Sequence, residues 1–263
     1  MAQEVTQRAA GPTAAMLVIG DEILSGRTRE ANGHHLAGVM TEIGIQLTEM
    51  RVVPDDRDVI IAAVNAMRAK VDYLFTSGGI GPTHDDITAD CVAAAFGVAI
   101  DVRDDARAIM EAYYATTGRE LNEARLRMAW IPDGAVLIDN PLSHAPGFIL
   151  GNVHVMAGVP SIFNVMLDGL RSRLRGGPPI LSHAFRVEAP EGDIAGPLGT
   201  LAASHPAVSM GSYPFYGKGP GTTLILRCSE PAALTIAADA LRQVLAAMGV
   251  TVSETPPGAE IST

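Results

Sequence analysis

Neither a CxxC pair nor a Cys/His ligand spacing occurs in the chain, whose two cysteines, Cys91 and Cys228, stand far apart. That argues against a zinc ribbon or a disulfide framework and leaves two free thiols, so a reducing, cytoplasmic setting is expected. Basic residues are scarce as well: 19 lysines and arginines against 29 acids leave a net charge of −10, and they are scattered. Such a balance carries no electrostatic footprint for nucleic acid or for an anionic membrane surface. No apolar stretch reaches the roughly 18 residues of a spanning helix. The apolar segment 14–20 is short and stops at Asp21-Glu22, so neither a leader nor an anchor is expected. GxSxG, GxxxxGK[ST] and GxGxxG are all absent, which removes support for a serine-nucleophile elbow, a Walker site or a nicotinamide site.

What is present begins with a globular composition, 48% hydrophobic and only 18% charged, which excludes wholesale disorder. After an arm over residues 1–13, strand and helix signals alternate. Strands are expected at 14–19, 45–53 and 71–75, with helices at 29–43, from Pro54-Asp55-Asp56 to about Lys70, and at 88–96. Helices follow at 104–117 and 120–130, strands at 135–138, 147–150 and 153–156, and a helix at 160–174. Alternation of this kind specifies a doubly wound, three-layer α/β sheet over residues 14–175. Gly176-Gly177-Pro178-Pro179 reads as a linker. Beyond it, strands at 182–187, 208–213 and 222–227 and helices at 192–204 and 231–248 make a small α+β domain over 180–252, followed by a flexible tail at 253–263.

The most informative segment is Ser77-Gly78-Gly79-Ile80-Gly81-Pro82-Thr83-His84-Asp85-Asp86-Ile87-Thr88, where a buried strand ends in three glycines and then two carboxylates. Glycines let backbone N–H groups approach an anion, and the helix that follows adds its positive end. Two adjacent aspartates would repel a phosphate there, unless a divalent cation bridges them or one carboxylate does proton chemistry. The other early turns are acidic too: Gly20-Asp21-Glu22-Ile23-Leu24-Ser25-Gly26 after the first strand and Pro54-Asp55-Asp56 after the second. In a doubly wound sheet all three emerge at the carboxyl edge, where ligands bind.

Plainer roles compete for each residue. Asp86 suits a helix N-cap, Asp55 and Asp56 suit a cap and a first turn, and Asp21-Glu22 suits a solvated loop. Ser25, Ser77 and Thr83 can bond a phosphate or merely their own backbone. His84 fits a surface residue better than a ligand, His34-His35 fit packing, and Trp130 and Tyr113-Tyr114 fit core or interface aromatics. Asn32, beside the histidines, is a ligand candidate.

At these positions the chain resembles the molybdopterin-binding (MoaB/MogA-type) domain family. Gly20-Asp21-Glu22-Ile23-Leu24-Ser25-Gly26, Val53-Pro54-Asp55, the Gly78 to Thr88 segment and Ala157-Gly158-Val159-Pro160 carry the likeness, in order, across residues 14–174. Within that family the form Pro82-Thr83-His84-Asp85-Asp86 is similar to CinA and to the amino-terminal domain of eukaryotic FAD synthase. The unit past the linker resembles the middle domain of CinA. One departure is Met156-Ala157-Gly158, where a proline commonly precedes the glycine.

The resemblance implies two activities. One is binding or adenylylation of molybdopterin, in molybdenum-cofactor biosynthesis. The other, favoured by the Pro82 to Asp86 form, is metal-dependent hydrolysis of a nucleotide pyrophosphate, ADP-ribose or FAD, releasing AMP. It implies Asp55 and Asp86 as catalytic acids; from the acidic turns themselves, Mg2+ or a similar ion is expected on Glu22, Asp85 and Asp86. It also implies ligand contacts from Gly20, Asp21, Ser25, Asn32, Ser77, Gly78, Gly79, Gly81, Thr83, Gly158, Pro160 and Ser161. A homo-oligomer, dimer or trimer, acting on a small nucleotide or pterin is the expected assembly.

Overall fold

The computed structural model describes residues 11–216 and 220–257. It divides into two compact units between Gly177 and Pro178. In chain order the first contains β1 (Thr13–Ile19), α1 (Asp21–Leu24), α2 (Asn32–Glu42), β2 (Gln46–Val53), α3 (Arg57–Arg68), β3 (Tyr73–Ser77) and α4 (Thr88–Phe96). It continues with β4 (Ile100–Val102), α5 (Asp104–Thr117), α6 (Glu123–Leu126), β5 (Trp130–Pro132), β6 (Val136–Ile138), β7 (Gly147–Leu150), β8 (Val153–Met156) and α7 (Pro160–Leu170).

The main sheet runs β2-β1-β3-β8-β7-β6. Its first four strands are parallel, and β7 and β6 close it as an antiparallel edge. Residues 14–19 are all buried because helices cover both faces, so the strand reads as one apolar run without alternation. Ala15, Leu17 and Ile19 join a core with Ile60, Val64 and Met67 of α3 and Val92 of α4. Ala14, Met16 and Val18 face the opposite core, built by Leu36 and Met40 of α2 and Phe163 and Met166 of α7. From β1 the chain steps outward to β2, then crosses back over β1 to β3. A crevice therefore opens beyond the carboxyl ends of β1 and β3.

Several expectations are corrected. The helix expected at 120–130 shrinks to α6, followed by a 3-10 turn at Arg127–Ala129, and Trp130 lies in β5, paired with Val102. Ile131 and Pro132 are buried in β5, while Trp130 at its start is partly exposed. The third strand is shifted to end at Ser77, carrying buried Thr76 and Ser77 into the sheet. A short helix, α1, forms inside the first acidic turn. The helix expected at 29–43 starts at Asn32, where the Glu30 carboxylate accepts the Gly33 N–H at 2.8 Å. The expected arm lies outside the described residues over 1–10; Thr13 belongs to β1, and its N–H and hydroxyl donate to the Asp72 carboxylate at 2.7 and 3.0 Å.

The second unit contains β9 (Leu181–Val187), α8 (Glu191–Ser204), β10 (Ser209–Tyr216), β11 (Pro220–Cys228), α9 (Pro231–Met248) and β12 (Val252–Thr255). Its sheet runs β10-β11-β9-β12, all antiparallel, over a core of Phe185, Val187, Leu224, Leu226, Leu234 and Leu241. β12 corrects the expected tail. Ser253, Glu254 and Thr255 pair with β9, and the Glu254 carboxylate accepts two bonds from Arg242 at 2.7 and 3.0 Å and lies 3.1 Å from His183 Nε2. The flexibility expected at 258–263 concerns residues outside the described ones. Among the described residues no helix is long and apolar enough to cross a membrane.

Candidate functional site

The turns after β1 and β2 are tied together. Gly20 N–H donates to the Val53 carbonyl at 3.1 Å, and Asp21 N–H donates to Asp55 Oδ2 at 2.9 Å. Asp56 is the cap of α3, its Oδ1 accepting from Asp58 and Val59 N–H at 3.0 Å each. The two neighbouring aspartates thus have separate roles, and Asp55 faces the first turn. Burial raises the Asp55 pKa above the ordinary carboxylate value, the Asp21 N–H opposes that, and the charges of Glu22, Asp21 and Asp85 push it further up. Carboxylates from three separate turns therefore act on one another.

The turn after β3 can be built only from glycine at two positions. Gly78 has φ +104 and a Cβ there would lie 2.2 Å from the Ile19 carbonyl oxygen; Gly79 has φ +68 and a Cβ there would lie 2.1 Å from Thr88 Oγ1. Thr88 locks the turn, its hydroxyl donating to the Gly78 carbonyl at 3.0 Å and its N–H to the Gly79 carbonyl at 2.9 Å. Asp86 is not the N-cap of α4: that position is Ile87, which makes no side-chain cap. Its Oδ2 instead accepts the Thr83 N–H at 2.8 Å and the Thr83 hydroxyl, closing the loop on itself.

The expected ligands Glu22, Asp85 and Asp86 are not gathered into one cluster in this geometry. Asp86 is turned toward Thr83, whereas Asp85 is exposed beside His84, itself 99% exposed. Among the described residues no three His, Cys, Asp or Glu side chains gather to hold a metal ion. The Ser25 hydroxyl also turns to its own backbone, donating to the Glu22 carbonyl at 3.3 Å.

Asn32 joins three elements. Its Nδ2 donates to Ser77 Oγ and to the Gly158 carbonyl, both at 2.8 Å, while its Oδ1 is buried with no partner. The side chain opens onto a cleft shared with Glu22, Thr28, Ser77 and Pro160. Pro160 is the first residue of α7, and Ser161 beside it is exposed. On the other flank of the glycine turn lies a small recess lined by Gly79, Gly81, Asp86, Asp90, Arg127 and Trp130. Sequence reasoning missed Arg127, because it sat inside a segment read as a continuous helix. Gly20, Asp21, Ser25, Asp55, Gly78, Thr83, Asp85 and Ser161 line neither of these two hollows.

Fold and edge together define an α/β protein with a ligand crevice at its topological switch point. Residues 15–176 match the model of the "probable molybdopterin binding domain", and residues 179–254 match that of "FAD synthase, middle domain". The chain belongs to the molybdopterin-binding domain family and is CinA-like in that domain. A protein of Pyrobaculum calidifontis is 33% identical over 215 residues, covering 77% of this chain and 81% of its own. A CinA-like protein of Desulfosudis oleivorans is 32% identical over 209 residues, or 75% of this chain; the match spans 51% of that relative, about half its length. The crystal structure of CinA from Thermoplasma acidophilum, a protein described as of unknown function, aligns with a TM-score of 0.57 at 32% identity, covering 62% of this chain and 97% of that one.

Proposed function

We propose that this protein hydrolyses a nucleotide pyrophosphate, ADP-ribose or FAD, with release of AMP. The observation that carries the reading is the Asp55 carboxylate held on the Asp21 N–H of the neighbouring turn, beside a glycine turn at the switch point. The CinA-like relatives and the match of residues 179–254 to a domain of FAD synthase favour a nucleotide substrate.

In this reading the backbone of the turn from Gly78 to Gly81 approaches one phosphate, because no side chain stands in its way. Asp55 keeps one carboxylate oxygen on the Asp21 N–H and uses the other to orient a water and take its proton. That water adds to the adenylyl phosphorus, the bond to the bridging oxygen breaks, ribose 5-phosphate or FMN departs with that oxygen, and the adenylyl phosphate with the water's oxygen is released as AMP. Asn32 Oδ1, buried and unpartnered, accepts a hydrogen bond from the ligand. Among the described residues no three His, Cys, Asp or Glu side chains form a cage for an ion. Mg2+ chelated by the substrate's phosphates counts as part of the substrate.

The test is incubation with ADP-ribose or FAD in Mg2+ or Mn2+, with products identified by chromatography. Wild type should release AMP, and Asp55→Asn should lower the rate by about 100-fold or more. Equal release by both rejects the role of Asp55.

A second reading has its own support. Asp55 and Asp86 already hold backbone N–H groups, as structural residues do. A pterin- or nucleotide-binding module, or a molybdopterin-adenylylating protein, is the alternative. Saturable binding of molybdopterin or FAD with no hydrolysis after long incubation would favour the module, and transfer of AMP to molybdopterin would favour adenylylation.

A further inference from the structure

The recess beyond Gly79 and Gly81 contains a cation that the proposed chemistry does not use. Arg127 Nε is buried and has no partner. Its Nη2 makes one long bond, 3.5 Å, to the Asp86 carbonyl, and its guanidinium carbon lies 5.6 Å from the centre of the Trp130 ring. A guanidinium carries its donors in a planar fork that matches two oxygens of a phosphate or carboxylate. A buried donor without an acceptor is costly to keep, and that cost is offset when a ligand oxygen arrives. Nε therefore stands unused, on the one basic side chain among the described residues of a recess that Asp86 and Asp90 also line.

We propose that Arg127 binds an oxyanion of the ligand, a phosphate group, in the recess flanked by Gly79, Gly81 and Trp130. The turn would then be approached from both sides: the Asn32 cleft on one flank and the Arg127 recess on the other. A ligand with two phosphates, or with one phosphate and a distant polar group, is the class that such a divided edge accommodates. The inference rests on the reading of this edge as a phosphate site, and it does not require turnover.

Trp130 is the only tryptophan in the chain and lines the same recess, so its emission reports occupancy directly. The experiment titrates the full chain with inorganic pyrophosphate, AMP, ADP-ribose and adenosine while following that emission. In wild type, pyrophosphate, AMP and ADP-ribose should give saturable changes, and adenosine should not. Arg127→Gln should weaken the phosphate-bearing probes by about 10- to 100-fold, the range for a hydrogen bond to a charged group. Arg127→Lys, which keeps the charge and loses the fork, should fall between, and it carries the test if the glutamine variant fails to fold by circular dichroism. Unchanged affinity in the folded variants, or no response to any phosphate probe in wild type, overturns the proposal. Phosphate binding that depends on Arg127, without AMP release from ADP-ribose or FAD, would sink the hydrolase reading and leave this one standing.

Discussion

Replacing Gly78 by alanine tests whether the end of β3 is fixed by close approach to β1. The new Cβ would lie 2.2 Å from the Ile19 carbonyl oxygen, and that oxygen belongs to a central strand with helices on both sides. Neither neighbour is a flexible side-chain tip, so backbone must move. A left-handed conformation costs an L-residue about 1–2 kcal/mol. Overpacking adds about 1–3 kcal/mol. The sum, about 2–5 kcal/mol, is large beside a typical total stability of about 5–15 kcal/mol. Gly26→Ala is the control: its φ is +71, but nothing lies within 4 Å of its Cβ, so only the conformational cost remains. The assay is thermal and urea unfolding of wild type and both variants. A loss of 3 kcal/mol lowers Tm by about 6–12 °C in a domain of this size. If Gly78→Ala is no more destabilising than Gly26→Ala, the close approach is not what selects glycine there.

Three further outcomes follow from the charges and thiols. Because the native Asp55 pKa is raised above 3.8, the folded state holds its proton longer than the unfolded chain, and stability falls as pH rises through that window. In urea titrations between pH 3.5 and 6, wild type should lose stability relative to Asp55→Asn as pH rises; parallel curves contradict the raised pKa. Glu254 runs the opposite way: bonds from Arg242 hold its pKa below 4.5, so its contribution is present above 4.5 and lost as pH falls through the depressed value. Glu254→Gln should cost about 1 kcal/mol at neutral pH, a modest figure because Arg242 is half exposed, with the gap closing in acid. Burial pushes the Cys91 thiol up to about 11, so in a Cys228→Ala background an aromatic disulfide reagent at pH 8 should label Cys91 only after unfolding.

Much of the fold was legible where punctuation is local. The ends of α4, α5 and α9 coincide with Gly97, Gly118 and Gly249, each at φ +67 in the left-handed position that closes a helix. β4 and β5 span three residues each, too few for any period, and they depend on one another as partners found only in three dimensions. β12 was hidden for the same reason, since proline and glycine beyond it read as a tail while its register with β9 is a long-range contact. At the edge, the glycines were legible because positive φ is a property of the residue itself. The allegiance of each acid was not: whether a carboxylate faces Thr83, Asp21 N–H or solvent is set by loop geometry over a few ångströms. Arg127 was invisible because neither its burial nor its idle Nε leaves a mark on sequence pattern.

The bonds of Asn32 also bear on time. Its two acceptors lie 45 and 126 positions further along the chain, the second only after β8 has joined the sheet beside β3. A polypeptide still leaving the ribosome can complete the first crossover and still lack the Gly158 side of the notch. Ligand capture would thus be a late event, marking the moment when the last parallel strand has docked.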